Sequence, residues 1–279
     1  MNSWQVGGCS VTLHAPPNMV TTAAPLFALY PTIDKHIHTA SIAFVGSQQR
    51  DSSWRIECNS ELLWQDSELG NTVAALELAL YRRVLELTHP ALCSIHAAAI
   101  AIEQHAIICA GVSGAGKSSL CTQALLAGAS YLSDEFALID ESGAIHPFPR
   151  PLQWEHTTHP AFTEESMINS TLFRRSSYRF SDHNGATRES QLWLPERLQR
   201  TPLPLTVVIL PRFTPQSTTI ITPLARSSAI MQLADLIQQA GEIKNRLQTL
   251  HRRIPDNTRF YSLQFGSVAD GWRRIQQLI

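Results

Sequence analysis

"GVSGAGKSSL", residues 111–120, decides how this chain is read. Gly111, Gly116, Lys117 and Ser118 fit the pattern G-x-x-x-x-G-K-[ST], a loop whose backbone cradles phosphate. Glycines admit positive φ and let the backbone approach phosphate oxygens with no β-carbon in the way. The N–H groups of such a turn point inward as an anion nest, and a following helix adds the positive end of its dipole. The context agrees with the motif. "HAIICA" (105–110) reads as a buried strand before the loop, and "KSSLCTQALLAGA" (117–129) as a helix closed at Gly128. Residues 111–119 are therefore expected to bind a nucleotide, with contacts from Gly111, Ser113, Gly114, Ala115, Gly116, Lys117, Ser118 and Ser119.

Further out, "SIHAAAIAI" (94–102) is expected as a buried strand turning through Glu103-Gln104 into the strand before the loop, and "YLSDEFALID" (131–140) as the next strand. Strand, glycine turn, helix, strand is the unit of an α/β fold. "PLTVVILPRF" (204–213) and "RFYSLQFG" (259–266) add strands. Helices are expected over 227–240, 242–252 and 268–279. Residues 1–90 read as a β-rich region with one helix over 71–87, compatible with an extension of the core sheet. Residues 91–279 read as the nucleotide-binding core, in which polar, arginine-bearing 161–190 is expected as a long, partly mobile loop. The stretches "HAPP" and "YPTIDKHIH" read as breaks.

Composition narrows the function class. With 279 residues and 44% hydrophobic content the chain supports a full core. A net charge of −1 carries no nucleic-acid footprint. No run reaches the length of a membrane span. The cysteines are five, with no CxxC or Cys/His spacing for zinc, which points to a reducing, cytoplasmic compartment. Lysine occurs only at positions 35, 117 and 244, so one of the three falls inside the loop.

Two carboxylates follow the loop. Asp134 lies 17 positions beyond Lys117, with Glu135 beside it; His96 lies 15 positions before Gly111. Adjacent carboxylates near a phosphate loop can divide two tasks, one holding a metal and the other accepting the proton of an attacking hydroxyl. The combination of "IHAA", "GVSGAGKSS" and "LSDE", followed by "GAIHPFPRPL", resembles the HPr kinase/phosphorylase family and its divergent relatives. The resemblance is close over about residues 94–153 and looser to the C-terminus. It implies an α/β core like that of HPr kinase and phosphoenolpyruvate carboxykinase, ATP and Mg²⁺ as cofactors, and phosphoryl transfer to a serine or threonine hydroxyl of a peptide or small protein. Carried over, Asp134 takes the place of the catalytic base supported by His96, Lys117 the phosphate position, and Ser118 and Glu135 the metal positions. Arg150 stands as a phosphate or carboxylate contact, and Arg174, Arg175 and Arg179 as arginines able to close over a nucleotide or bind an acidic tail.

Departures from the family pattern matter. Glu135 stands where Asp is usual, and the Gly/Arg-rich "RGLGI"-type segment is absent, which weighs against HPr itself as substrate and against the reverse phosphorylase activity. Alternatives stay open: a kinase of a small molecule such as free serine, or a non-catalytic module gated by ATP. An oligomer of identical chains is compatible with the sequence.

Overall fold

The structure is a computed structural model; it describes residues 2–33, 40–88, 91–153, 162, 167, 170–182, 184–239 and 241–279. In chain order the first elements are β1 (Asn2–Val6), β2 (Cys9–His14), α1 (Pro17–Phe27), β3 (Ser41–Gln48), β4 (Trp54–Cys58), β5 (Glu61–Asp66) and α2 (Leu69–Thr88). Then come β6 (Cys93–Ile102), β7 (His105–Ala110), α3 (Lys117–Leu126), β8 (Ser130–Ser133), β9 (Phe136–Ile139) and β10 (Ala144–His146). The rest are β11 (Phe173–Ser181), β12 (Thr187–Pro195), β13 (Leu203–Phe213), β14 (Ile220–Pro223), α4 (Arg226–Ala234), α5 (Ile243–Arg253), β15 (Arg259–Phe265) and α6 (Val268–Gln276). The fold is mixed α/β, and the chain divides into two compact units.

The first unit takes Met1–His89, Pro151–Thr158 and Phe173–Leu194. Its sheet has the order β1-β2-β3-β4-β5 and is separate from the sheet that carries the phosphate loop. The expected extension of the core sheet is thus corrected: no strand of β1–β5 pairs with β6–β15 among the described residues. Two helices belong to this unit rather than one. α1 begins at the very prolines that read as a break, because Pro17 occupies the first turn, where the missing N–H costs no hydrogen bond. Met19, Ala23, Leu26 and Phe27 then form its buried face.

The 161–190 loop is the other correction. Part of it lies outside the described residues, but Phe173–Ser181 and Thr187–Pro195 form a two-stranded hairpin. Its turn closes through Gly185 N–H to the Asp182 carbonyl (2.8 Å), with Gly185 at φ +76°. Asp182 Oδ1 accepts from the N–H groups of Asn184 and Ala186. Asn184-Gly185 is a hairpin signal the polar composition obscured. Arg174, Arg175 and Arg179 lie exposed on this hairpin in the first unit. Tyr178 points inward, and its hydroxyl donates to Glu77 Oε2 (3.0 Å), while Gln153 Nε2 donates to Oε1 (2.8 Å). A carboxylate buried on α2 is tolerated because both oxygens are hydrogen-bonded.

The second unit takes Pro90–Arg150, His159–Leu172 and Pro195–Ile279. Its sheet has the order β10-β9-β6-β7-β13-β15-β14, with β8 continuing the line of β9 along β6. β7, β13 and β15 are parallel to one another, whereas β6 and β7 form an antiparallel hairpin. Alternation sorts the strand faces. Ile95, Ala97, Ala99 and Ala101 of β6 join Ala229, Leu233 and Leu250 of α4 and α5 in one apolar cluster. The opposite face, with His96 and Cys109, is left for α3, which contacts β6, β7 and β8. No helix of the described residues is long and apolar enough to cross a membrane, and all five cysteines are unpaired thiols.

Glu77→Ala strands the Tyr178 hydroxyl and the Gln153 amide, and is expected to lower stability by about 1–3 kcal/mol in urea unfolding. A change below a few tenths would show that the buried carboxylate does not tie the hairpin to α2.

Candidate functional site

The loop leaves the sheet at the C-terminal end of β7, where open α/β sheets place ligands. Its entry is fixed by the Gly111 N–H, which donates to the His96 carbonyl (3.5 Å), and its turn by the Ala115 N–H to the Val112 carbonyl (3.2 Å). Gly114 and Gly116 have φ of +77° and +96°. Gly116 is the N-cap of α3, with no side-chain cap, so the first N–H groups of the helix stay directed at the loop. Glycine at 116 is required twice over, since a β-carbon there would lie 2.5 Å from Phe265 Cζ. From the far side the Phe213 N–H holds the Ala115 carbonyl (3.1 Å). Ser113 is exposed, and Ser118 and Ser119 are half-buried in the first turn of α3.

Lys117 is buried, and its Nζ donates to the Val112 carbonyl at 3.0 Å. Burial pulls its pKa down from the ordinary lysine value, while Glu135 and Asp134 oppose that pull. The ammonium thus sits folded into its own loop, within electrostatic reach of Glu135 and Asp134, with donors beyond the one Val112 uses.

Asp134 and Glu135 occupy the bend between β8 and β9. Both strands pair with β6, Ser133 opposite Ala99 and Phe136 opposite His96, so the bend carries the two carboxylates past the entry to the loop. Asp134 turns inward and is buried, with a hydrogen bond to the Ser118 side chain. Its Oδ1 has no hydrogen-bond partner among the described residues. Burial raises its pKa to about 7, against the lowering effects of Arg150, Ser118 and Lys117. Glu135 turns the other way. Its Oε1 lies 3.3 Å from His96 Nε2 and its Oε2 lies 3.6 Å from Arg150 Nη1. Burial and the Lys117 charge lower the His96 pKa, with Glu135 opposing, so the contact is that of a neutral imidazole at neutral pH.

The sequence-predicted residues His96, Lys117, Ser118, Asp134, Glu135 and Arg150 are therefore brought together at one place. Of the two carboxylates, Glu135 is the one His96 contacts. The reason is register, because His96 pairs with Phe136, the neighbour of Glu135, and glutamate has the longer arm. Arg150 reaches the site from the chain after β10 and is held through its carbonyl, which accepts from Tyr131 Oη (2.8 Å).

The residues fit a phosphate-bound Mg²⁺. No group of three or more His, Cys, Asp or Glu forms a cation cage among the described residues. A magnesium ion held by one or two protein oxygens plus phosphates needs no such cage. Ser118 is bonded to Asp134, whose Oδ1 keeps no hydrogen-bond partner among the described residues, so the polar, under-satisfied spot lies between them, while Glu135 is held by His96 and Arg150.

Two aromatic residues were missed from the sequence. Phe213 and Phe265 end the parallel strands β13 and β15 opposite each other and pack edge-on, with ring centroids 5.5 Å apart. "PRF" and "LQF" show this role only once the strands are known to run side by side in register. In comparison with known proteins, the chain matches no family model and no curated sequence.

The folded chain holds the Asp134 proton to about pH 7, whereas an ordinary aspartate releases it at 3.8. The stability this group contributes is complete below the lower value and is lost as pH rises through the upper one. In metal-free buffer Asp134→Asn should therefore raise the melting temperature little at about pH 4 and more at about pH 8. The same offset at both pH values would show that the carboxylate is not held protonated by its burial.

Proposed function

We propose that this protein is an ATP-dependent kinase of the HPr-kinase type, transferring the γ-phosphoryl group to a serine or threonine hydroxyl of a peptide or small protein. The observation that carries the reading is Asp134: buried beside the phosphate loop, bonded to Ser118, with one oxygen unpartnered and its proton affinity raised toward neutrality. A general base works best with a pKa near the working pH. The mixed sheet, with an antiparallel hairpin feeding the phosphate loop and His96 on the adjoining strand, supports a core of the HPr kinase and phosphoenolpyruvate carboxykinase kind.

In this reading the triphosphate lies against the N–H groups of residues 111–119 and the Lys117 ammonium, which leaves Val112 for the phosphate oxygens. Ser118 and Glu135 would hold Mg²⁺, which when bound would offset charge on the transferring phosphates. Asp134 takes the acceptor hydroxyl proton as the oxygen bonds to the γ-phosphorus; the bond to the β–γ bridging oxygen breaks and ADP leaves. His96 and Arg150 orient Glu135 from its two sides. Arg150, with its planar fork, also stands close enough to the carboxylates to meet developing charge.

Transfer of labelled γ-phosphate from ATP to a serine-containing peptide, with free serine in a parallel reaction, tests the reading. Asp134→Asn should cut transfer by about a hundredfold or more while ATP binding is kept, and Lys117→Ala should weaken binding itself. Transfer to free serine alone would make this a small-molecule kinase. Intact ATP binding with no transfer to any hydroxyl would make it a nucleotide-gated module.

A further inference from the structure

Phe265 is buried at the end of β15, and both ends of its ring meet a glycine. On one side, a β-carbon at Gly116 would fall 2.5 Å from Cζ and 3.3 Å from Cε1. On the other, a β-carbon at Gly271 of α6 would fall 3.1 Å from Cδ2 and 3.2 Å from Cγ, and 3.3 Å from Leu120 Cδ2 of α3. The ring's long axis thus spans from the closing helix to the last glycine of the phosphate loop. Phe213 packs edge-on to it, and the Thr214 N–H donates to the Phe265 carbonyl (2.9 Å), so the ring cannot slide away along the strand ends. An aromatic ring has no internal freedom to shorten. A shift of α6 toward the sheet is therefore passed to Gly116, and with it to the direction of the Lys117 and Ser118 N–H groups that open α3.

We propose that Phe265 is a positioning residue for nucleotide binding: a rigid spacer through which helix α6 sets the height of Gly116 and so the aim of the phosphate-binding amides. The affinity measurement below rests on the phosphate-loop reading; the exchange measurement does not.

Gly271→Ala adds a methyl against the ring and should weaken binding of Mg·ATP, measured by calorimetry, by about tenfold. It should also change amide hydrogen exchange at residues 114–118 in the nucleotide-free protein. Adding Phe265→Leu, which removes the ring atoms that reach Gly116, should bring affinity back to within about threefold of the wild-type value and restore the exchange pattern, although a second core change lowers overall stability. A merely structural role predicts the opposite, with the double variant worse than either single one, and that result overturns the proposal. If the wild-type protein does not bind Mg·ATP, the nucleotide reading fails, and the exchange measurement alone decides whether α6 acts on the loop. If Gly271→Ala does not fold, Phe265→Tyr applies the push from the ring's other end, its hydroxyl directed at Gly116. Unchanged affinity and exchange in that variant overturn the proposal equally.

Discussion

The site is built on the burial of opposite charges at the point where a strand bends beside a glycine turn. Lys117 and Asp134 are both nearly removed from water. Burial still pushes both toward their neutral forms, pulling Lys117 down and Asp134 up to about 7; Glu135 and Asp134 on the lysine side, and Arg150 and Lys117 on the aspartate side, oppose that push without cancelling it. The remaining structure is arranged around keeping them there. β6 supplies the straight edge along which β8 and β9 pair on either side of the bend, and β7 delivers the loop from the next position in the sheet.

That arrangement explains the mixed sheet. The antiparallel β6–β7 hairpin sets His96 one strand away from Gly111, close enough for its carbonyl to accept the loop's first N–H. The parallel set β7, β13 and β15 runs in one direction, and Phe213 and Phe265, opposite each other at the ends of β13 and β15, back the Gly116 end of the turn. One set of strands therefore carries the chemistry and the other its support.

Much of this was legible because the signals are local. A run such as "AIICA" before "GVSGAGKSSL" states strand, turn and helix within a few residues, and α2 spans 69–88 where periodicity placed it at 71–87. Local signals failed where two readings compete. Pro16-Pro17 both breaks a strand and starts a helix, and only the apolar spacing of Met19, Ala23 and Leu26 separates them. The β11 sequence "FRRSSYRFS" buries only Phe173 and Tyr178, too little alternation to announce a strand, while the Asn184-Gly185 turn that pairs it was hidden among polar neighbours. At the site the residues were legible but not their partners. Whether His96 meets Asp134 or Glu135 depends on strand register, which no motif spacing encodes.

The resting contact of Lys117 completes the physical picture. A buried ammonium must spend its donors on something, and its nearest acceptor is the Val112 carbonyl of its own loop. This contact fixes the side chain across the mouth of the turn rather than out toward solvent. It also gives the lysine a partner that a phosphate oxygen, as a charged acceptor, outcompetes. The same exchange applies to the two carboxylates. Glu135 is already held from both sides by His96 and Arg150, whereas Asp134 keeps an oxygen with no partner among the described residues. Between adjacent acids of nearly equal chemistry, it is this difference in satisfaction that separates the one held from both sides from the one left with an open oxygen.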